Sequence, residues 1–239
     1  MIDTDIHILS TRPLSDNSLQ EAAWCGIHID VTPFIEVEIL EEEALQQSLA
    51  LLAGKPILAV FTSRYAVQAL QQLLPEPPGS WKTACINGKT AREASDWLGD
   101  AALVATAPNA ALLAEKITGL QFPQIVFFCG DQRLDHLPAA LRGKTLSFEE
   151  LTVYRSFATP VALDVQHYRG LLFFSPSAVH SFFSVNTLPF GCTIFTIGAT
   201  TAAAVQHYTF HNTVISPEPD EQVMLDQVIN YYNEERLIN

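Results

Sequence analysis

Glycine, serine and threonine recur in this sequence where an apolar run gives way to a helical pattern. The turns are Thr62-Ser63, Gly88 to Thr90, Ser175 to Ser177 and Gly198 to Thr201, and Gly130-Asp131 adds a fifth. The backbone N–H groups in the first turn of a helix lack intrahelical partners, and the helix dipole adds positive potential there. Such turns can bind carboxylates or phosphates, although the same serines and threonines can also act only as helix caps.

Two longer side chains are candidates for a direct part in chemistry. Tyr154 lies on a segment of alternating polarity, where its phenol either donates a proton or packs as an aromatic on a half-buried strand. Arg12 follows the first apolar run and can pair bidentately with a carboxylate. That carboxylate can belong to a ligand or to the protein, and the sequence leaves both choices open.

Familiar catalytic and metal-binding patterns are absent from the 239 residues. There is no nucleophile elbow, Walker loop, dinucleotide-binding glycine motif or zinc-binding helix motif. The 4 cysteines are far apart and contain no CxxC pair, which favours buried, reduced thiols. His207 and His211 have no carboxylate-rich motif beside them, so we predict no metal site.

The net charge of the chain limits the kinds of ligand that it can bind. A formal net charge of −13 argues against binding of duplex nucleic acid, where lysine and arginine must neutralise phosphates. An anionic substrate would therefore need local donors rather than a basic face.

No apolar run approaches the ~20 residues of a membrane helix, and the acidic residues 1–5 do not resemble a signal peptide. We expect a cytoplasmic protein that binds no membrane.

Apolar runs alternate with helical patterns along the chain. Continuous apolar runs followed by helices predict an α/β fold in which a parallel sheet is covered on both faces. The predicted strands are residues 6–9, 57–61, 125–128, 171–174 and 193–195. The predicted helix starts are Ser15 or Asp16, Ser63, Asn109, Ser177 and Asp220.

The sequence also repeats itself. Phe61 to Val67 resembles Phe174 to Val179, and Gly88 to Ala91 resembles Gly198 to Ala202, each pair about 110 residues apart. Three further pairs follow in the same order, which predicts a tandem duplication.

The polar-alternating segments, residues 35–40 and 151–158, are typical of a two-stranded antiparallel bridge. Residues 41–150 then form an inserted lobe, and residues 1–34 with 159–239 form the other. We expect the repeated turns to lie near a shared cleft, because ligands gather at the carboxyl ends of parallel strands.

Eight short motifs follow one another in a distinctive order. They are Thr11-Arg12-Pro13, Phe61 to Val67, Gly88 to Ala91, Gly130-Asp131, Val153 to Ser156, Phe174 to Val179, Ile197 to Ala202 and Pro219 to Ile229. In this order they resemble the uroporphyrinogen-III synthase family, over nearly the whole chain. Two positions depart from the pattern: Ala199 stands where the family usually has proline, and Tyr65 stands where an arginine contact with substrate would be expected.

The resemblance implies two flavodoxin-like lobes joined by a two-stranded ladder. It also implies that hydroxymethylbilane, a linear tetrapyrrole with eight carboxylates, loses water and closes to uroporphyrinogen III with inversion of ring D. No metal or organic cofactor is implied, and we expect a monomer. By position, Tyr154 matches the tyrosine that assists loss of the hydroxyl. The residues expected to bind substrate are Arg12, Thr62, Ser63, Gly88, Thr90, Gly130, Ser175, Ser177, Gly198, Thr200 and Thr201.

Two other classes of protein remain open at this point. A non-enzymatic, two-lobed protein that binds small anions would use the same turns. A pair of regulatory domains that bind flavin or nucleotide would share the strand and helix pattern, although no phosphate loop of the expected length follows Ile8-Leu9.

Overall fold

The structure is a computed structural model that describes residues 6–142 and 148–238. The acidic residues 1–5 considered above lie outside the described part. The chain divides into two compact units. The first consists of Met1–Glu36 and Phe157–Asn239, and the second of Val37–Ser156. Within the described residues, no helix is both long enough and apolar enough to cross a membrane.

Strands and helices alternate through most of the described chain. The strands are β1 Ile6–Ser10, β2 Ile27–Val31, β3 Ile35–Ile39, β4 Leu58–Phe61, β5 Lys82–Ile86, β6 Leu103–Ala107, β7 Ile125–Gly130, β8 Phe148–Ala158, β9 Gly170–Phe173, β10 Thr193–Thr196 and β11 Thr213–Ile215. The α-helices are α1 Asp16–Trp24, α2 Glu43–Ala53, α3 Arg64–Leu73, α4 Lys89–Leu98, α5 Ala110–Thr118, α6 His136–Leu141, α7 Pro176–Phe183, α8 Ala199–Gln206 and α9 Glu221–Ile238.

The first unit is built on a parallel sheet with the strand order β11-β10-β9-β1-β2. Neighbouring residues of one strand point to opposite faces, so Ile8 and Leu9 enter different hydrophobic clusters. Leu9 packs in the cluster that α7 and α8 complete. Ile8 packs in the cluster that α1 and α9 complete. Helices therefore cover both faces of this sheet.

The second unit follows the same physical plan. Its sheet has the order β3-β8-β7-β4-β5-β6, and the pairs from β8 to β6 are parallel. Phe61 and Phe128 pack on the face covered by α2, α3 and α4. Val60 and Phe127 pack on the other face, against α5 and α6. The fold is therefore mixed α/β with parallel sheets and helices, as the alternating pattern predicts.

Strands β3 and β8 are neighbours in the six-stranded sheet. Their hydrogen bonds run in antiparallel register, since Leu40 N–H donates to the Val153 carbonyl and Thr159 N–H donates to the Phe34 carbonyl. The chain passes from one compact unit to the other within these two strands.

The five apolar runs are confirmed as strands β1, β4, β7, β9 and β10. Ser15, Ser63 and Asn109 are confirmed as N-caps by their side-chain hydrogen bonds, and Asp220 accepts from the first turn of α9. The prediction for Ser177 is wrong, because Ser175 caps α7 and Pro176 begins it. Proline suits the first helical position, since its fixed φ is already helical and its missing N–H would have no partner there.

Replacing Gly170 with alanine should destabilise the first unit. The new Cβ would lie 2.6 Å from the Tyr232 phenol oxygen and 3.3 Å from the Phe195 ring, and both side chains are fully buried. We expect the free energy of unfolding to fall by about 1–3 kcal/mol, as is typical of overpacking. Urea unfolding of G170A measures this loss.

Gly54→Ala is the matched control, since nothing lies within 4 Å of its Cβ. Its stability should be unchanged or rise by up to about 1 kcal/mol. Equal stability of the two variants would contradict this account of the packing around Gly170.

Candidate active site

The residues predicted to bind substrate lie at the carboxyl ends of parallel strands. In the second unit, Thr62 and Ser63 follow β4, and Gly88 and Thr90 follow β5, while Gly130 ends β7. In the first unit, Arg12 follows β1, the turn from Ser175 to Ser177 follows β9, and the turn from Gly198 to Thr201 follows β10. Each sheet thus gathers its own group at one edge, because all the strands concerned run in the same direction.

The ring of Tyr154 lies directly over Gly130. A Cβ at residue 130 would be 2.8 Å from the Tyr154 phenol oxygen and closer still to two ring carbons. Gly130 is itself buried. Its lack of a side chain is therefore what allows the tyrosine ring to occupy this position, a role that the sequence pattern did not suggest.

A bulge in β8 explains how Tyr154 reaches that position. In the register between β7 and β8, Cys129 faces Thr152 but Gly130 faces Tyr154, so one residue of β8 is skipped. Tyr154 consequently packs against the same hydrophobic cluster as Val153, although consecutive strand residues normally face opposite sides. Bulges of this kind redirect a side chain and occur often beside active sites.

The surroundings of Tyr154 keep its phenol protonated. Burial is the largest influence and raises the pKa of Tyr154, and the nearby Cys129, Tyr65 and Asp131 raise it further. A side-chain hydrogen bond with Ser63 acts in the opposite direction. The Tyr65 ring lies 5.9 Å away between centroids. At neutral pH this phenol is a proton donor that is partly shielded from water.

The turns that begin four helices fall into two classes. Ser63 and Ser175 are true caps, since their hydroxyls accept hydrogen bonds from Tyr65 N–H and Ala178 N–H, each at 3.2 Å. Gly88 and Gly198 occupy the cap positions of α4 and α8, where no side chain caps the helix. Capping therefore accounts for the two serines, while the two glycine turns leave their helix starts without a capping side chain.

The two glycine turns differ in backbone conformation. Gly88 has φ +84° and ψ −137°, a combination that side-chain-bearing residues rarely adopt. Gly198 has φ 173° and ψ 173°, which is extended backbone open to any residue. Thr90 and Thr201 lie buried in the first turns of α4 and α8, whereas Thr200 and Ser177 are exposed.

Arg12 pairs with a carboxylate of the protein. Its Nη2 lies 3.0 Å from Glu221 Oε2, and its guanidinium lies 3.9 Å from the centroid of the Phe174 ring. Glu221 is nearly buried, and its other oxygen accepts from Ser15 N–H and from the Ser18 hydroxyl. This carboxylate joins the starts of α1 and α9, and sequence reasoning did not identify it because Arg12 and Glu221 are far apart in the chain.

Metal-binding side chains do not assemble into a site in the part of the chain that the structure describes, where no group of three or more His, Cys, Asp or Glu residues could hold an ion. Three of the cysteines are buried free thiols. Burial raises the pKa of Cys85 and of Cys129 to about 11 and that of Cys192 to about 12. These thiols are protonated at neutral pH and are poor nucleophiles.

Alanine at position 88 should strain the backbone, whereas alanine at position 198 should not. Nothing lies within 4 Å of either added Cβ, so only the backbone conformation separates the two variants. We expect G88A to lose about 1–3 kcal/mol of unfolding free energy, and G198A to stay within about 0.5 kcal/mol. Thermal unfolding measures both variants, and an equal loss in both would contradict the assigned conformations.

Comparisons with known proteins agree with this fold. No curated protein sequence matches the chain. The crystal structure of a uroporphyrinogen-III synthetase from Helicobacter pylori is 17% identical and has a TM-score of 0.67, with 95% of this chain and 99% of that chain covered. A mutant uroporphyrinogen III synthase from Thermus thermophilus is also 17% identical, with a TM-score of 0.60 and coverage of 96% and 99%. These likenesses show the fold.

The family itself is shown by the sequence. The family model described as Uroporphyrinogen-III synthase HemD matches residues 20–226, which is most of the chain. The matched stretch includes the Tyr154 bulge, Gly130 and all four helix-start turns. The chain therefore belongs to the uroporphyrinogen-III synthase family.

Proposed function

We propose that this chain is a cyclising lyase that converts hydroxymethylbilane to uroporphyrinogen III, with loss of water and inversion of ring D. The observation that carries the proposal is the family match over residues 20–226. The arrangement of Tyr154 and of the helix starts supports it, because both suit this substrate and this reaction. The family resemblance further implies that no metal or organic cofactor is needed, and we propose that the protein is a monomer.

The substrate is a flexible chain with eight carboxylates, and the protein carries a formal net charge of −13. General electrostatic attraction cannot hold such a ligand, so binding must rely on donors placed at short range. The starts of α4 and α8 meet this need, since no side chain caps them and their dipoles favour anions. We propose that Gly88, Thr90, Gly198, Thr200 and Thr201 bind substrate carboxylates.

The remaining predicted residues take supporting parts in the same proposal. Thr62 precedes the Ser63 cap of α3, and Ser177 lies in the first turn of α7, so we propose that both hydroxyls contact the substrate. Arg12 binds a substrate carboxylate only if its pairing with Glu221 can be shared or exchanged. Gly130 contributes by admitting the Tyr154 ring.

Tyr154 is the proposed proton donor. Loss of water from the hydroxymethyl group is easier when the leaving hydroxyl receives a proton, and positioned acids contribute to such steps. The raised pKa of Tyr154 keeps that proton in place until it is needed. Holding and folding the flexible tetrapyrrole supplies the rest of the rate enhancement, because a correct geometry removes much of the entropic barrier.

We further propose that the two units arose from a tandem duplication and have flavodoxin-like sheets. Numbered along the chain, the first sheet has the strand order 2-1-3-4-5, which is the flavodoxin-like order. In the second sheet, the neighbouring strands β8, β7, β4, β5 and β6 occupy the same five positions in space. Their order along the chain is a circular permutation of the order in the first sheet. The turns that begin α4 and α8 then follow equivalent strands, in agreement with the repeat in the sequence.

Isomer analysis of the product tests the proposed function directly. Freshly prepared hydroxymethylbilane is incubated with the protein, the products are oxidised, and the porphyrin isomers are separated. We expect mainly isomer III, formed faster than spontaneous closure. Isomer I alone, formed at the spontaneous rate by folded protein, would contradict the proposal and favour the anion-binding alternative.

Replacement of Tyr154 by phenylalanine should slow the reaction without abolishing it. The ring and its packing over Gly130 are kept, and only the acid is lost, so we expect kcat to fall by about 100-fold with little change in KM. Tyr168→Phe is the matched control, since Tyr168 is also a buried phenol, donates to Asp30 and has a pKa raised to about 12. Unchanged turnover in Y154F would remove Tyr154 from the mechanism.

A further inference from the structure

We propose that Asp131 is the positioning residue for Tyr154, because it fixes the bulged end of β8 through two hydrogen bonds. The inference rests on the proposed function, in which Tyr154 donates a proton. It assigns to Asp131 a part that is separate from substrate binding and that acts only through the tyrosine.

The two hydrogen bonds bracket the segment that follows the bulge. Asp131 N–H donates to the Tyr154 carbonyl at 3.1 Å, and Ser156 N–H donates to the Asp131 carboxylate oxygen Oδ1 at 3.0 Å. In a regular parallel ladder, a residue that donates through its N–H also accepts through its own carbonyl. The Asp131 carbonyl would then accept the hydrogen bond from Ser156 N–H. Here its side chain replaces the backbone carbonyl as the acceptor, so the pairing of β8 continues one step beyond the end of β7.

This replacement is needed because the backbone leaves the sheet at that point. Strand β7 ends at Gly130, and Arg133 N–H then donates back to the Gly130 carbonyl in a turn. The carboxylate of Asp131 therefore accepts the hydrogen bond from β8 that the backbone carbonyl no longer accepts. Without it, the pairing of β8 beyond the end of β7 would stop at the bond from Asp131 N–H to the Tyr154 carbonyl.

The direction of the Tyr154 ring depends on this segment. A strand without the skipped residue would point residue 154 to the face opposite Val153, away from the cluster that it contacts. With the bulge held in place, the ring lies over Gly130 and beside Tyr65. Asp131 lies beside both parts of this contact. It follows Gly130 directly in the chain, and it forms hydrogen bonds with Tyr154 and Ser156, the residues on either side of Arg155.

The Asp131 carboxylate also has an electrostatic effect on the phenol. Its negative charge is one of the influences that raise the pKa of Tyr154, after burial and alongside Cys129 and Tyr65. Its other oxygen, Oδ2, accepts from Gln132 Nε2 at 3.2 Å. Geometry and charge can be separated by substitution, because asparagine keeps an acceptor oxygen without the charge, whereas glutamate keeps the charge and moves the acceptor.

A double-mutant cycle with Tyr154 tests the proposal. In the full-length protein we expect D131A and D131E to lower kcat about 10-fold with little change in KM, and D131N to stay within about threefold of wild type. In the Y154F background, D131A should cause no further loss, because a residue that acts through the phenol has nothing left to position. Asp164→Ala is the matched control, since Asp164 also accepts a backbone N–H, from Gln166, in the other unit; its kcat should equal that of wild type.

A second measurement does not need turnover. The Tyr154 Cζ resonance, in protein labelled at its tyrosines and assigned with Y154F, reports the phenol pKa during a titration. That pKa should be lower in D131A and in D131E than in wild type, because the ring becomes more hydrated, and D131N should lie between wild type and D131A.

The outcomes separate the two proposals. Additive losses of kcat in D131A and Y154F, or a wild-type phenol pKa in D131A and D131E, would overturn the positioning role of Asp131. If wild-type protein forms only isomer I, the proposed function fails, and the titration still decides whether Asp131 fixes the tyrosine.

Discussion

Burial of each parallel sheet on both faces is the constraint on which the rest of the structure depends. Leu9 and Ile8, or Phe128 and Phe127, must pack against helices on opposite sides, and this requires a helix after nearly every strand. Since the strands run in the same direction, the turns from strand to helix collect at one edge of each sheet. The positions of the candidate residues in these turns follow from that arrangement.

The same constraint bears on the proposal that this acidic protein binds an acidic substrate. The turns bring helix N-termini to the edge, and the choice of cap decides what each N-terminus does. At α3 and α7, a serine side chain accepts a hydrogen bond from an N–H group in the first turn of the helix. The glycines before α4 and α8 have no side-chain oxygen that would compete with a ligand for these N–H groups. In the proposed function, local dipoles and amides supply the attraction that a net charge of −13 denies to the surface as a whole.

Much of the fold could be predicted because the decisive signals are local. Continuous apolar runs identified the central strands, and serine, asparagine and aspartate before helical patterns identified the starts of α1, α3, α5 and α9. Strand β5 was not predicted because it begins with Lys82 and Thr83, and strand β2 was not predicted because polar residues interrupt it. The start of α7 was misplaced by two residues, since Pro176 makes Ser175 a better cap than Ser177.

The details of the site were less predictable because they depend on contacts between distant residues. Nothing local in the sequence shows that Arg12 meets Glu221, or that β8 skips a residue opposite Gly130. Gly130 and Tyr154 could each be singled out as candidates, yet their contact arises only from the pairing of β7 with β8. The hydroxyl turns were found as a group, but which hydroxyl serves as a cap depends on the residue at which each helix begins.

The central claim is that the tetrapyrrole carboxylates are held at the carboxyl edges of the sheets, by helix starts rather than by basic side chains. Titration of uroporphyrin III into the protein, followed by backbone amide resonances, tests this most directly. The account predicts that the amides of residues 88–90 and those of residues 198–201 shift as uroporphyrin III is added, and that the Tyr154 ring resonance shifts with the amides of its own unit. Shifts confined to the amino ends of the strands, or to exposed lysine and arginine side chains with these amides unmoved, would contradict it.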